Sequence, residues 1–197
     1  FTGPNLDLRF TGLAPIVDTV AAASLTVNAT DAANTINITN ATTAPRLQIA
    51  VDAFEPIEFN NKTAVIVNGG DGTAGGDVGD TITVNYNNLP AALSSLTING
   101  GEGIDAIHAQ STNASVSTTI NGGDGLDVVN IGNTGTLSTP GLLTPVAGAI
   151  TVDGGTNGAN LTVDGSGAGV AADYAITNTT VTRSIPAGFG GVTYSNL

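Results

Sequence analysis

Two stretches, Ile98-Asn99-Gly100-Gly101-Glu102-Gly103-Ile104-Asp105-Ala106-Ile107-His108 and Ile120-Asn121-Gly122-Gly123-Asp124-Gly125-Leu126-Asp127-Val128-Val129-Asn130, lie over each other residue for residue. In the first, Leu96 and Ile98 alternate into a Gly-Gly turn and Ile107 continues beyond it. Two-residue alternation on both sides of a glycine turn predicts strand, corner, strand. A third copy, Val67-Asn68-Gly69-Gly70-Asp71-Gly72, takes an insertion through Gly79 and resumes at Asp80. Weaker copies start at Val152 and at Val27, and in the latter Asn34 stands in place of the late Asp.

The five starts at 27, 67, 98, 120 and 152 are spaced by 40, 31, 22 and 32 residues. A hairpin meander does not need such lengths. A coil of about 22 residues, lengthened elsewhere by loops, is what a chain needs to travel once around and stack on itself. The expectation is an all-β, parallel β-solenoid (β-helix-like). Val, Ile and Leu then face inward, and Thr97, Asn99, Thr119, Asn121 and Asn130 face outward. Column neighbours sit about 4.8 Å apart, so Asn and Thr side chains can bond along the stack.

Composition agrees. The hydrophobic fraction is 41% but the aromatic fraction only 4%, so the core is built from small branched side chains. Abundant Gly, Asn and Thr favour strands and tight turns over helices. With 16 Asp and Glu against 4 Lys and Arg, the formal charge of -12 repels phosphate backbones and anionic lipid, and favours divalent cations as partners. No nucleic acid partner is expected. No apolar run approaches the roughly 18 residues of a membrane-spanning helix, so no membrane insertion is expected either. The absence of Cys excludes disulfides and thiolate chemistry.

Residues 1–197 read as a single unit. There is no Met, no signal-like segment at Phe1, and Gly191 to Leu197 resembles Pro56 to Lys62, which leads into the corner at Val67. The unit is therefore expected to be one segment of a longer repetitive chain. Gly165 to Ala172, small and non-periodic, reads as a loop excursion, with Asp173 to Arg183 returning as a strand.

Gly-Gly-x-Gly-x-Asp-x-U-x, with U a large apolar residue, is met in full by Gly100 to His108 and by Gly122 to Asn130. It resembles the haemolysin-type (RTX) calcium-binding nonapeptide. The resemblance implies calcium as cofactor, with Asp105 and Asp127 as ligands, Asp80 more weakly, and Asp71, Glu102 and Asp124 adding charge. A calcium ion takes about six to eight oxygens. The other reading of the same residues is a tight glycine corner capped by Asp. The layout is also similar to that of very large bacterial surface proteins built from such corners, with Leu8 to Ile16 and Val192 to Leu197 looking like recurring edges.

That resemblance implies a secreted or cell-surface location and a structural module of a fibre, sheath or surface layer. Its partners are then neighbouring copies or flanking units, end to end or laterally. The alternative is an adhesin module binding glycans or another surface. A polysaccharide-acting enzyme is the third reading. Its carboxylates, Asp105 with Asp127, lack a clustered base, cation or aromatic platform, so no catalytic residue is assigned. Gly70 to Gly75 fits Gly-x-Gly-x-x-Gly without a helix to follow it. Lys62, the only lysine, follows Asn61, which raises an isopeptide link, but a surface lysine is the simpler expectation.

Overall fold

The computed structural model describes residues 15–70, 76–132 and 140–197. Among these the regular structure is β-strand, apart from a single 3-10 turn at Ser166–Ala168. No helix among the described residues is long and apolar enough to cross a membrane. The first strands are β1 (Ile16–Asp18), β2 (Ala22–Asn28), β3 (Thr35–Asn40), β4 (Leu47–Val51) and β5 (Ile57–Phe59). Then come β6 (Lys62–Asn68), β7 (Thr81–Asn85), β8 (Ser95–Glu102), β9 (Ala106–Ser111), β10 (Ser117–Asp124) and β11 (Asp127–Ile131). The last are β12 (Ile150–Asp153), β13 (Ala159–Val163), β14 (Asp173–Ile176), β15 (Thr180–Ile185) and β16 (Val192–Ser195).

They form two mostly parallel, eight-stranded sheets that do not close on themselves. The first runs β1-β5-β4-β3-β7-β9-β11-β13 and the second β14-β15-β16-β12-β10-β8-β6-β2. From β6 to β13 the chain changes sheet at every step, so strands consecutive in sequence are never paired there. Side chains that alternate along a strand point alternately to the two faces of its sheet. Val27, Val67, Ile98, Ile120 and Val152 are successive register neighbours in the second sheet. Ile36, Ile82, Ile107 and Val129 are successive neighbours in the first. All nine are buried in one hydrophobic cluster. Each fully buried residue of this size contributes about 1.5–3 kcal/mol of hydrophobic stabilisation, before the entropy of ordering it is counted.

Three expectations are corrected. The pairing is not parallel throughout: β3-β4-β5 and β14-β15-β16 are antiparallel meanders. The 40 residues between Val27 and Val67 are more than a connecting loop needs, and the surplus folds as β4. A turn closed by Arg46 N–H donating to the Thr43 carbonyl at 3.1 Å starts that strand, and Phe54 N–H to the Val51 carbonyl at 3.0 Å ends it. Leu47 and Ile49, alternating between these turns, are buried. Second, Asp173 to Arg183 is a hairpin and not one strand, because the Thr177 hydroxyl accepts the Thr179 and Thr180 N–H groups and turns the chain. Third, Lys62 is not on the surface but 2% exposed. Its Nζ donates to Asp18 Oδ1 at 2.9 Å, to the Val20 carbonyl and to the Asn60 carbonyl at 3.4 Å, so its contacts are with these groups and not with the Asn61 side chain.

Candidate functional site

The corners bring together three of the six acidic residues singled out in the sequence. Asp80, Asp105 and Asp127 each stand at the start of a strand of the first sheet, where register places Thr81, Ala106 and Val128 side by side. The carboxylates therefore form a row one strand spacing apart, and all three are at most 2% exposed. Each Oδ1 accepts a backbone N–H from the preceding corner. Asn34 N–H donates to Asp80 at 2.8 Å, Asp80 N–H to Asp105 at 2.7 Å and Asp105 N–H to Asp127 at 3.0 Å. Asn34 ends the row. Its side chain turns aside to bond the Thr30 N–H at 2.9 Å and Asp52 Oδ2 at 2.7 Å.

The glycines explain how a carboxylate fits inside. Asp105 Oδ2 lies 2.1 Å from where a Cβ on Gly100 would stand, and Asp80 and Asp127 Oδ2 lie 2.2 Å from the same point on Gly69 and Gly122. Any side chain there would collide with the acid. The next glycine of the corner has a different constraint: Gly123 has φ +106° and its missing Cβ would fall 2.0 Å from the Gly101 carbonyl oxygen. The corners thus stack backbone on backbone.

All three Oδ2 atoms are buried and make no hydrogen bond among the described residues. Burial disfavours the charged form, and the N–H donated to Oδ1 only partly offsets it. The Asp105 carboxyl is pushed up to about 7, by burial first and then by Asp127 and Asp80. Asp80 is pushed up to about 6 for the same leading reason, and Asp127 is raised too. These protons come off in steps that belong to the row and not to single residues. Asp77, which sequence reasoning missed, lies within the same electrostatic neighbourhood. Its oxygens pack against Gly70 and Gly101 and make no hydrogen bond of good geometry, although the Glu102 and Val78 N–H groups lie near; burial raises it also. Its only signal in sequence is a second Asp three residues before Asp80.

The two other described acids of the six lie on the second sheet and not in the row. Glu102 and Asp124 are register partners on the strands of the second sheet, and Asp124 is exposed. Glu102 Oε2 accepts the Gly76 N–H at 3.2 Å. Asp71 lies outside the described residues. Among the described residues no three acidic or histidine side chains converge on one point. A calcium ion here would have to draw most of its six to eight oxygens from backbone carbonyls.

A second ladder runs along the corners on the other sheet. Asn68 Nδ2 donates to Asn28 Oδ1 at 2.6 Å, Asn99 to Asn68 at 2.6 Å and Asn121 to Asn99 at 2.7 Å. Beside it, Thr97, Thr119, Thr151 and Thr193 form an outward column in register. His108 lies in the first sheet, partly buried, with Nδ1 3.3 Å from Asn130 Nδ2, and burial lowers its pKa.

At the C-terminal end a cleft of about 730 Å³ opens between β13 and the β14–β15 hairpin. Leu161, Val163, Ile176 and Val181 make it apolar, with Tyr174, Tyr194 and Asp164 at its polar points. The Ser166 hydroxyl first, then the Ser166 N–H at 2.9 Å and the Gly141 N–H at 2.8 Å, donate to Asp164 and hold its carboxyl below the usual range. Both oxygens are thereby engaged in holding loops. Comparison of the chain with protein-family models, with curated proteins and with solved structures found no match.

Proposed function

We propose that this chain is a structural module: a β-solenoid unit of a secreted or cell-surface bacterial protein that builds a fibre, sheath or surface layer. The observation that carries the reading is the stacking of five corners in one register, tied by an inner aspartate row and an outer asparagine ladder. Such an arrangement spends its polar groups on holding neighbouring strands together. In that role the acids are corner fittings, and the glycines before them are the space the fittings need. Electron microscopy of native material with an antibody against this chain tests it. A continuous labelled thread or layer outside the cell is expected, and label confined to isolated short particles or to the cell interior would overturn it.

An adhesin module is the second reading, supported by the outward column Thr97, Thr119, Thr151 and Thr193 beside the asparagines. Uniform hydroxyl and amide spacing suits another regular surface, such as a glycan chain. Binding on a glycan array that Thr119→Lys abolishes would favour it. Calcium at the corners is supported by the three buried, unbonded Oδ2 atoms. A calcium-bound corner would raise the melting temperature over that in chelator by several degrees, because a ligand well above its dissociation constant adds a few kcal/mol. A shift under a degree or two counts against it.

A further inference from the structure

Three of the four Lys and Arg side chains lie among the described residues, and two of them face carboxylates. Arg46 Nη1 stands 3.3 Å from Glu58 Oε2, and Lys62 Nζ stands 2.9 Å from Asp18 Oδ1. Arg183 is the exception. On β15 it shares a face with Val181, since the two stand opposite Tyr174 and Ile176 of β14, and the chain beyond the strand returns Phe189 against it. Only 6% of Arg183 is exposed, yet it joins no ion pair among the described residues. Its Nη2 donates to the Thr144 hydroxyl at 3.1 Å, and its Cζ lies 5.9 Å from the centre of the Phe189 ring. Nε and Nη1 are buried and meet no acceptor among the described residues. Asp164, in the cleft that Tyr174 lines, has its oxygens held by Ser166 and Gly141 and forms no pair with it. A guanidinium stays charged at every pH a protein meets. Buried without an anion it suffers a desolvation penalty that one neutral hydroxyl and one aromatic ring offset only in part. Water supplies an acceptor but no opposite charge.

We propose that Arg183 is the floor of a binding site for a small monocarboxylate, a property that goes beyond the structural-module reading and stands without it. The ligand follows from the chemistry of the place. The paired donors of a planar guanidinium match the two oxygens of a planar carboxylate. A single cation balances a single negative charge, and the field of a chain with net charge -12 repels multiply charged anions such as sulfate and phosphate. The Phe189 ring gives a short alkyl group an apolar wall. The way in is marked by Thr144, an exposed residue whose hydroxyl covers Nη2. Beside it Gly188 keeps space open: a Cβ there would meet nothing nearer than Thr144 Cγ2 at 3.3 Å. Rotation of the Thr144 side chain releases Nη2, and the carboxylate then takes Nη1 and Nη2 together.

Acetate is the probe, with chloride at the same pH and ionic strength as the control. The natural chain should melt at least about 2 °C higher in acetate. In NMR, saturation of its aromatic protons should transfer to the acetate methyl group. Arg183→Met replaces the unpaired cation by an uncharged chain, so it should melt no lower than the natural chain in chloride and lose both acetate effects. Thr144→Ala removes the covering side chain and leaves Arg183 in place. It should bind acetate at least about twofold more tightly, because the open state no longer has to be selected. This second variant decides the matter even where Arg183→Met does not fold. A natural chain without saturation transfer, an acetate effect that Arg183→Met keeps, or a Thr144→Ala chain that binds acetate no more tightly than the natural one would overturn the site.

Discussion

Replacing Asp105 by Asn should stabilise the protein at alkaline pH, although it removes an acid from the corner motif. Asp105 Oδ1 would still accept the Asp80 N–H as an amide oxygen. The amide nitrogen would replace Oδ2, which has no partner and lies by the same missing Cβ of Gly100 as the Gly122 carbonyl oxygen, at 2.1 and 2.3 Å from it respectively. The gain is set by the raised carboxyl. The folded chain binds a proton at about 7 that the unfolded chain releases near 3.8, so stability falls as pH rises between those values and stays low above them. Roughly three pH units at 1.36 kcal/mol each give at most about 4 kcal/mol, and screening by water at the corner brings this nearer 2. For a domain of this size that is a rise of about 4–8 °C in melting temperature at pH 8, vanishing by pH 4. The assay is a series of thermal melts from pH 4 to 8.5, each in chelator and in millimolar calcium. A variant that melts below the natural chain at pH 8 in chelator would refute the reasoning. So would an unchanged pH slope. Loss of stability only in calcium would show that Asp105 serves an ion instead.

Three further changes probe the same architecture. Gly100→Ala should cost about 1–3 kcal/mol or prevent folding, since its Cβ meets both a carboxylate and a backbone carbonyl; an unchanged midpoint in urea unfolding would show that the corner has room for it. Lys62→Met should lose about 2–4 kcal/mol in the same assay, because the Val20 and Asn60 carbonyls lose their buried donor; an effect under about 0.5 kcal/mol would mean the ion pair with Asp18 contributes nothing. Tyr86→Phe should fall within about 1 kcal/mol of neutral, as the buried hydroxyl and that of Thr118 lack well-formed bonds and burial pushes the phenol up to about 12; a loss above about 2 kcal/mol would show that the two are bonded.

The corners were legible because their constraint is local. A glycine that must admit a carboxylate at Gly100 and a backbone carbonyl at Gly123 leaves the same mark at four of the five corners, all but the one after Val27, so the alignment of Ile98 with Ile120 in sequence is also their pairing in space. β4 was less legible because spacing counts residues and not direction: the long gap after Val27 reads equally as loop or as strand pair until the turns at Thr43 and Val51 are seen. The orientation of the acids was illegible. Gly-Gly-x-Gly-x-Asp is compatible with an Asp turned toward an ion or toward the next N–H, and the choice depends on the corner stacked above it. Lys62 escaped for a related reason, since its partners Asp18 and Val20 lie at the end of β1 and just after it, more than forty residues earlier.

The asparagine ladder has one more property. Every Nδ2 points toward the lower-numbered strand and every Oδ1 toward the higher, from Asn28 through Asn68 and Asn99 to Asn121. The amide dipoles therefore add along the stack, as peptide dipoles add along a helix. Asn28 ends the column with its amino group unspent in this row, and Asn121 ends it with its carbonyl. The column therefore has a sense: at β2 it ends on a donor, and at its other end the Asn121 carbonyl meets β12, where the carboxylate Asp153 stands in register with it.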